Sequence, residues 1–213
     1  MRVESLIDRL TSELKPVHRR TAGSDALVLV ALCAVELGLF FGMGMMRSDM
    51  PIAMHLPSFW WKFASFGLIG LVSGAVTIMS LDPERSPRRG LRWIAALMAA
   101  CLVGGWLVNA SHDGLSTVVG RLHWIDGLEC CYNIMVLSVP AVIGLGLLMR
   151  RAAPTDQAGT ALAAGLTAAA LGAFVFVFAC RFDDPLHVAV WFSLGCGAVT
   201  LFARFVLPRF TRW

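Results

Sequence analysis

Six runs of about 20 predominantly apolar residues, the length a helix needs to cross a bilayer, divide this chain at 26–46, 59–80, 93–110, 130–149, 160–179 and 187–207. Together they take up more than half of the 213 residues. The connections are too short for a separate folded domain on either side. With 57% hydrophobic and 15% charged residues, the chain is far from the roughly 25% charged of a soluble domain. The fold class that follows is all-α: a polytopic membrane protein built as one six-transmembrane-helix bundle, whose first partner is the lipid bilayer.

Residues 1–24 are polar and charged, with no short apolar core and small-residue cleavage site of a secretory signal. Orientation follows from the positive-inside bias. Of 18 basic residues, 14 fall on one face, among them Arg19, Arg20, Arg85, Arg88, Arg89, Arg92, Arg150, Arg151 and Arg209. Both termini are therefore expected in the cytoplasm. Arg47, Arg121 and Arg181 lie on the other face, and Lys62 is expected to snorkel outward from the second run. This asymmetry accounts for the net charge of +4 without direct nucleic-acid binding.

Three thiols fall at the outer edge: Cys130 and Cys131 open the fourth run and Cys180 closes the fifth. Cys33, Cys101 and Cys196 lie within runs, where a cysteine behaves as a small buried hydrophobe. Thiolates react with oxidants and soft metals, so the outer trio are the candidate sensing residues. A bridge between adjacent cysteines on a helix is strained, so a disulfide would join Cys180 to either Cys130 or Cys131. Alternatively, two thiolates could hold a soft ion such as copper, cadmium or zinc, with Asp183, Asp184 or His187 completing the shell. The plain alternative is that small residues simply fit at helix ends. Glu36, midway along the first run, is expected to face the bundle interior.

At the start of the chain Val3, Leu6, Ile7, Leu10 and Leu14 recur at helical spacing, with Glu4, Asp8 and Glu13 on the opposite side, before Pro16. Residues 1–24 thus read as a cytosolic amphipathic segment, and residues 25–213 as the six-helix transmembrane sensor domain. The carboxylates oppose an anionic leaflet and favour a protein groove. Catalysis has little support, since the chain shows no phosphate-binding glycine loop, no Ser-His-Asp set and no paired carboxylates within a run.

The Met-x-x-x-Ser-Leu-Ile-Asp-x-Leu start, the run from Cys180 through Asp183, Asp184 and His187 to Trp191, and the closing Arg212-Trp213 resemble the NrsF family of membrane-bound anti-sigma factors. The resemblance extends over the whole chain. It implies an inner-membrane protein, not an enzyme, whose N-terminal region holds an extracytoplasmic-function sigma factor inactive. It also implies that Cys131 and Cys180 sense metal or oxidant stress and release that factor, with no obligatory cofactor. Cys130 is an addition to the pattern, which leaves open which of the adjacent thiols reacts. Two other readings compete: a DsbB-like thiol oxidoreductase, for which a second cysteine pair is missing, and a small metal transporter lined by Glu36 and the cysteines. Whether the bundle pairs with a second copy stays open.

Overall fold

The computed structural model describes residues 11, 21–110, 124–152 and 154–211. Its regular elements are α1 (Ala22–Gly42), α2 (Met50–Ala53), α3 (Pro57–Ser80), α4 (Arg88–Ala110), α5 (Trp124–Ala152), α6 (Gln157–Phe176) and α7 (Pro185–Phe210). No strand occurs among the described residues. Residues Val3, Leu6, Ile7, Leu10 and Leu14 of the expected partner-binding helix lie outside them.

All six apolar runs become helix, and α1, α3, α5, α6 and α7 are each long and apolar enough to cross a membrane. The third run lies in the 23-residue α4, which opens on Arg88, Arg89 and Arg92, so its apolar part begins only after the first turn. Helix starts are set by local chemistry. Thr21 caps α1 through its side-chain oxygen, which accepts from Ser24 N at 3.3 Å. Asp156 caps α6 by accepting from Gly159 N at 2.9 Å, and Pro57 opens α3, where the absent N–H costs nothing. The fifth run does not stay helical to residue 179. Helix α6 stops at Phe176, and 177–184 form a connection, because Asp184 and Pro185 begin α7.

Helix α6 is the centre of the bundle. It touches α1, α3, α5 and α7, and 72% of its most apolar window is buried against 22% for α1. Its inward positions include Ala161, Ala164, Gly165, Ala168, Ala169, Gly172 and Ala173. Small side chains bring backbones together where lipid supplies no hydrophobic drive between helices. A Cβ on Gly172 would lie 2.8 Å from Ser138 N, and one on Gly165 would lie 3.0 Å from Thr200 Cα. Across α3 and α6 the hydroxyls of Thr77 and Thr167 meet at 2.8 Å, the polar contact that joins spans in lipid.

Helix α1 is peripheral. Asp25, Glu36 and Phe40 are its buried residues, while Leu27, Val30, Val35 and Leu39 are exposed. Glu36 faces the bundle as expected, and its Oε1 has no hydrogen-bond partner among the described residues.

Candidate functional site

At the end of the bundle where α6 gives way to the 177–184 connection, four segments converge: that connection, the first turns of α5 and α7, and the first turns of α3. Cys180 N–H continues the helical pattern by donating to Phe176 O at 2.9 Å. The chain then leaves the axis, and the Asp184 side chain accepts from Leu186 N at 3.0 Å to start α7. This places His187 on the inner side of the first turn of α7, fully buried, its ring stacked on Phe182 at 4.5 Å between centroids.

The three candidate thiols are buried here, not displayed on an open edge: Cys130, Cys131 and Cys180 are 3%, 9% and 3% exposed. All six cysteines of the chain are free thiols. The thiol that neighbours Cys180 is Cys130, which also lies 3.9 Å from His187 Nε2. Cys131, the thiol that the family resemblance names as sensor beside Cys180, instead donates to Trp191 O at 3.1 Å and faces Gly195 of α7. Adjacent helical positions diverge by about 100° around the axis, so only one of the two thiols can face the 177–184 connection. The Trp191 indole packs directly on Gly127 and meets Trp124 edge to face at 5.4 Å.

Both aspartates offered as supporting ligands have other partners in this structure. Asp184 is the helix cap. Asp183 is the acceptor of two buried cations: Arg47 Nη2 at 2.9 Å from its Oδ2, and Lys62 Nζ at 2.7 Å from its Oδ1. Lys62 is fully buried, so it does not snorkel to the headgroup region; a long side chain with an acidic partner behind it gains more by turning inward. Both cations also hold the backbone of the connection. Arg47 N–H donates to Phe178 O at 3.0 Å, Arg47 Nη1 to Cys180 O at 2.9 Å, and Lys62 Nζ to Phe182 O at 2.8 Å. Asp49 completes the cluster with two 2.7 Å bonds to Arg47.

The electrostatics follow these contacts. The hydrogen bond from Arg47 holds the Asp49 carboxyl down at about 2. Burial opposes ionisation of Asp183, but the bonds from Arg47 and Lys62 outweigh it and keep the carboxyl below its usual range. At Cys180 the neighbouring Cys130 thiol favours the thiolate most. Burial works against it, the Lys62 charge adds to it, and the thiol lies below its ordinary range.

Among the described residues no group of three or more His, Cys, Asp or Glu side chains could hold a metal ion. A linear two-thiolate site for a soft ion needs only a pair of sulfurs. The Arg47–Asp183–Lys62 cluster was missed in the sequence. The signal was present: an ionisable residue inside a span pairs with an opposite charge, and Asp49 and Asp183 are among the acids on the same side.

Trp60, Trp93 and Trp124 are exposed, as an interfacial belt requires. Trp61 differs by turning inward onto Gly105, where its Nε1 donates to Cys101 O at 3.2 Å.

Residues 10–213 match a family described as negative regulator of sigma F. The chain is 31% identical over 221 residues to the anti-sigma-F factor NrsF of Caulobacter vibrioides (strain NA1000 / CB15N), with all of both chains covered. It is 26% identical over 199 residues to the probable anti-sigma-F factor NrsF of Azospira oryzae, covering 92% of each. No solved structure matches it.

Proposed function

The chain belongs to the NrsF family of negative regulators of sigma F, and from that premise we propose that it is an inner-membrane, six-span anti-sigma factor whose Cys130–Cys180 pair controls release of its sigma factor. The family is regulatory and not enzymatic, which sets aside the oxidoreductase reading. The bound factor is of the extracytoplasmic-function type and docks on Val3, Leu6, Ile7, Leu10 and Leu14, on the side where the arginines gather.

One observation carries the sensing part: Cys130 and Cys180 are neighbouring buried thiols on two different segments, one of them the direct continuation of α6. Two chemistries act on such a pair. A soft cation such as copper(I) or cadmium displaces both thiol protons and is held between the sulfurs. With a peroxide, the Cys180 sulfur forms an S–O bond as the O–O bond breaks and hydroxide leaves; Cys130 then displaces the sulfenic oxygen as water, forming S–S. In that sequence two electrons and two protons pass from the thiols to the peroxide. Either product ties α5 to the end of α6. Packed helices answer such a displacement by switching between discrete arrangements, and full switching from about 1:99 to 99:1 requires roughly 5.5 kcal/mol of preference for one state.

The test is co-purification of the sigma factor with full-length protein, before and after cadmium or peroxide. Cys130→Ser and Cys180→Ser should retain the factor and fail to release it, while Cys131→Ser responds like the native protein. Loss of response in Cys131→Ser alone would overturn the Cys130 assignment. Retention of the factor by a Leu6→Asp, Leu10→Asp double variant would overturn the docking surface.

A further inference from the structure

We propose that Asp183, gripped by Lys62 and Arg47, is the latch of the sensing connection: it keeps Cys180 seated against Cys130 in the repressing state and sets how much inducer is needed to move it. The inference rests on the sensing role given to Cys180 above and assigns the residues that regulate it.

The geometry is specific to this stretch. Between residues 178 and 183, three carbonyls and both oxygens of one carboxylate are held by Arg47 and Lys62, all through their side chains except Phe178 O, which accepts from the Arg47 backbone N–H. Phe178 O and Cys180 O are taken by Arg47, Phe182 O by Lys62, and the Asp183 oxygens by both. Cys180 lies inside this grip, since its own Sγ donates to Phe182 O at 3.6 Å, the same oxygen that accepts from the Lys62 ammonium at 2.8 Å. The thiol and the ammonium therefore share one acceptor, and neither can move without disturbing the other.

The anchors are also asymmetric. Lys62 is fixed in the first turns of α3, whereas Arg47 belongs to the connection after α1. Asp183 thus joins the α1–α2 connection, α3 and the α6–α7 connection at a single carboxylate.

A fully buried lysine near the end of a membrane helix is costly, and a buried ion pair gives back little net stability compared with apolar packing. What such a network does provide is one defined position for the segment it grips, and the segment gripped here is the one that bears Cys180. Lys62, Arg47 and Asp183 are positioning residues: in the mechanism proposed they act on the inducer only through Cys180.

The test uses full-length protein in native membranes, with N-ethylmaleimide as probe and peptide mass spectrometry to follow each cysteine. In Asp183→Asn, alkylation of Cys180 should rise about tenfold, equivalent to about 1.4 kcal/mol, which is within the reach of one lost charged hydrogen bond; in Lys62→Met, which also removes a charge that favours the Cys180 thiolate, the rise should be smaller. Cys131 and Cys196 should keep their native rates, and the cadmium dose for half-release of the sigma factor should fall by a similar factor. Lys62→Arg, which keeps the charge, should restore the native Cys180 rate, as a general packing role would not require. Asp183→Glu serves if Lys62→Met does not fold, with an intermediate rate expected.

Unchanged Cys180 alkylation would overturn the latch, as would an equal rise at Cys131 and Cys196, which signifies a loosened bundle. The sensing reading is judged separately. If cadmium and peroxide release no sigma factor from native protein, sensing by Cys180 fails, while the alkylation rates still decide whether Asp183 positions the connection.

Discussion

Gly172→Ala is the sharpest test of the packing that places Cys130 beside the 177–184 connection. A Cβ there would run into Ser138 Oγ and come within 2.8 Å of Ser138 N and 3.0 Å of Ile134 O. Two of these three atoms are backbone, so no rotamer change on α5 relieves the contact and the helices must separate. Overpacking of this kind costs about 1–3 kcal/mol, offset by up to about 1 kcal/mol of better helix propensity for alanine. The net loss should be about 1–2 kcal/mol. Gly38→Ala is the control, because nothing lies within 4 Å of its Cβ and only the propensity gain remains. Unfolding of both variants by denaturant in micelles should give opposite signs. A Gly172→Ala protein as stable as the native one would refute the claim that α5 and α6 touch backbone to side chain at this level. Because Cys130 lies two turns before Ser138 on α5 and Cys180 two turns beyond Gly172, the same substitution should also slow formation of a Cys130–Cys180 disulfide.

Gly127→Ala should displace the Trp191 indole, at about 1–3 kcal/mol, and with it the carbonyl that accepts from Cys131; faster maleimide labelling of Cys131 would report this, and an unchanged rate would refute it. The pH dependence of the Asp183 cluster has a definite sign. The folded-state carboxyl lies below its ordinary value, so its contribution is complete above the unfolded value of about 4 and is lost only as pH falls through the lower folded value. The stability difference between native protein and Asp183→Asn should therefore be constant above about pH 5 and shrink below about pH 4. A difference that instead changed between pH 6 and 8 would mean that another group titrates.

The bundle was legible in the sequence because hydropathy in a bilayer is a nearly sufficient signal: six apolar runs became six helices. The site was legible only to the level of segments. Cys130, Cys180 and His187 were recognised, and the structure brings them together, but the choice between Cys130 and Cys131 depends on the rotation of α5 about its axis. That rotation is set by Gly172 against Ser138 and by Trp191 against Gly127, long-range fits that periodicity within one run does not encode. Lys62 was read from its own neighbourhood as a snorkelling side chain, although its partner lies 121 positions away. Asp184, a candidate ligand by its distance from Cys180, also has a local use that its place directly before a proline signals, the helix cap.

Helix α6 has lipid on little of its surface and small residues on most of its contacts, and its two ends are tied differently. One end runs straight into Cys180. At the other, Thr155 Oγ1 donates to Pro83 O at 3.1 Å, and Asp156 lies 3.8 Å from Arg88. A rod caged on several sides cannot drift sideways. Tension applied at the sulfur must therefore emerge as axial slip or rotation against the turn formed by residues 81–87, some thirty ångströms away for a 20-residue helix.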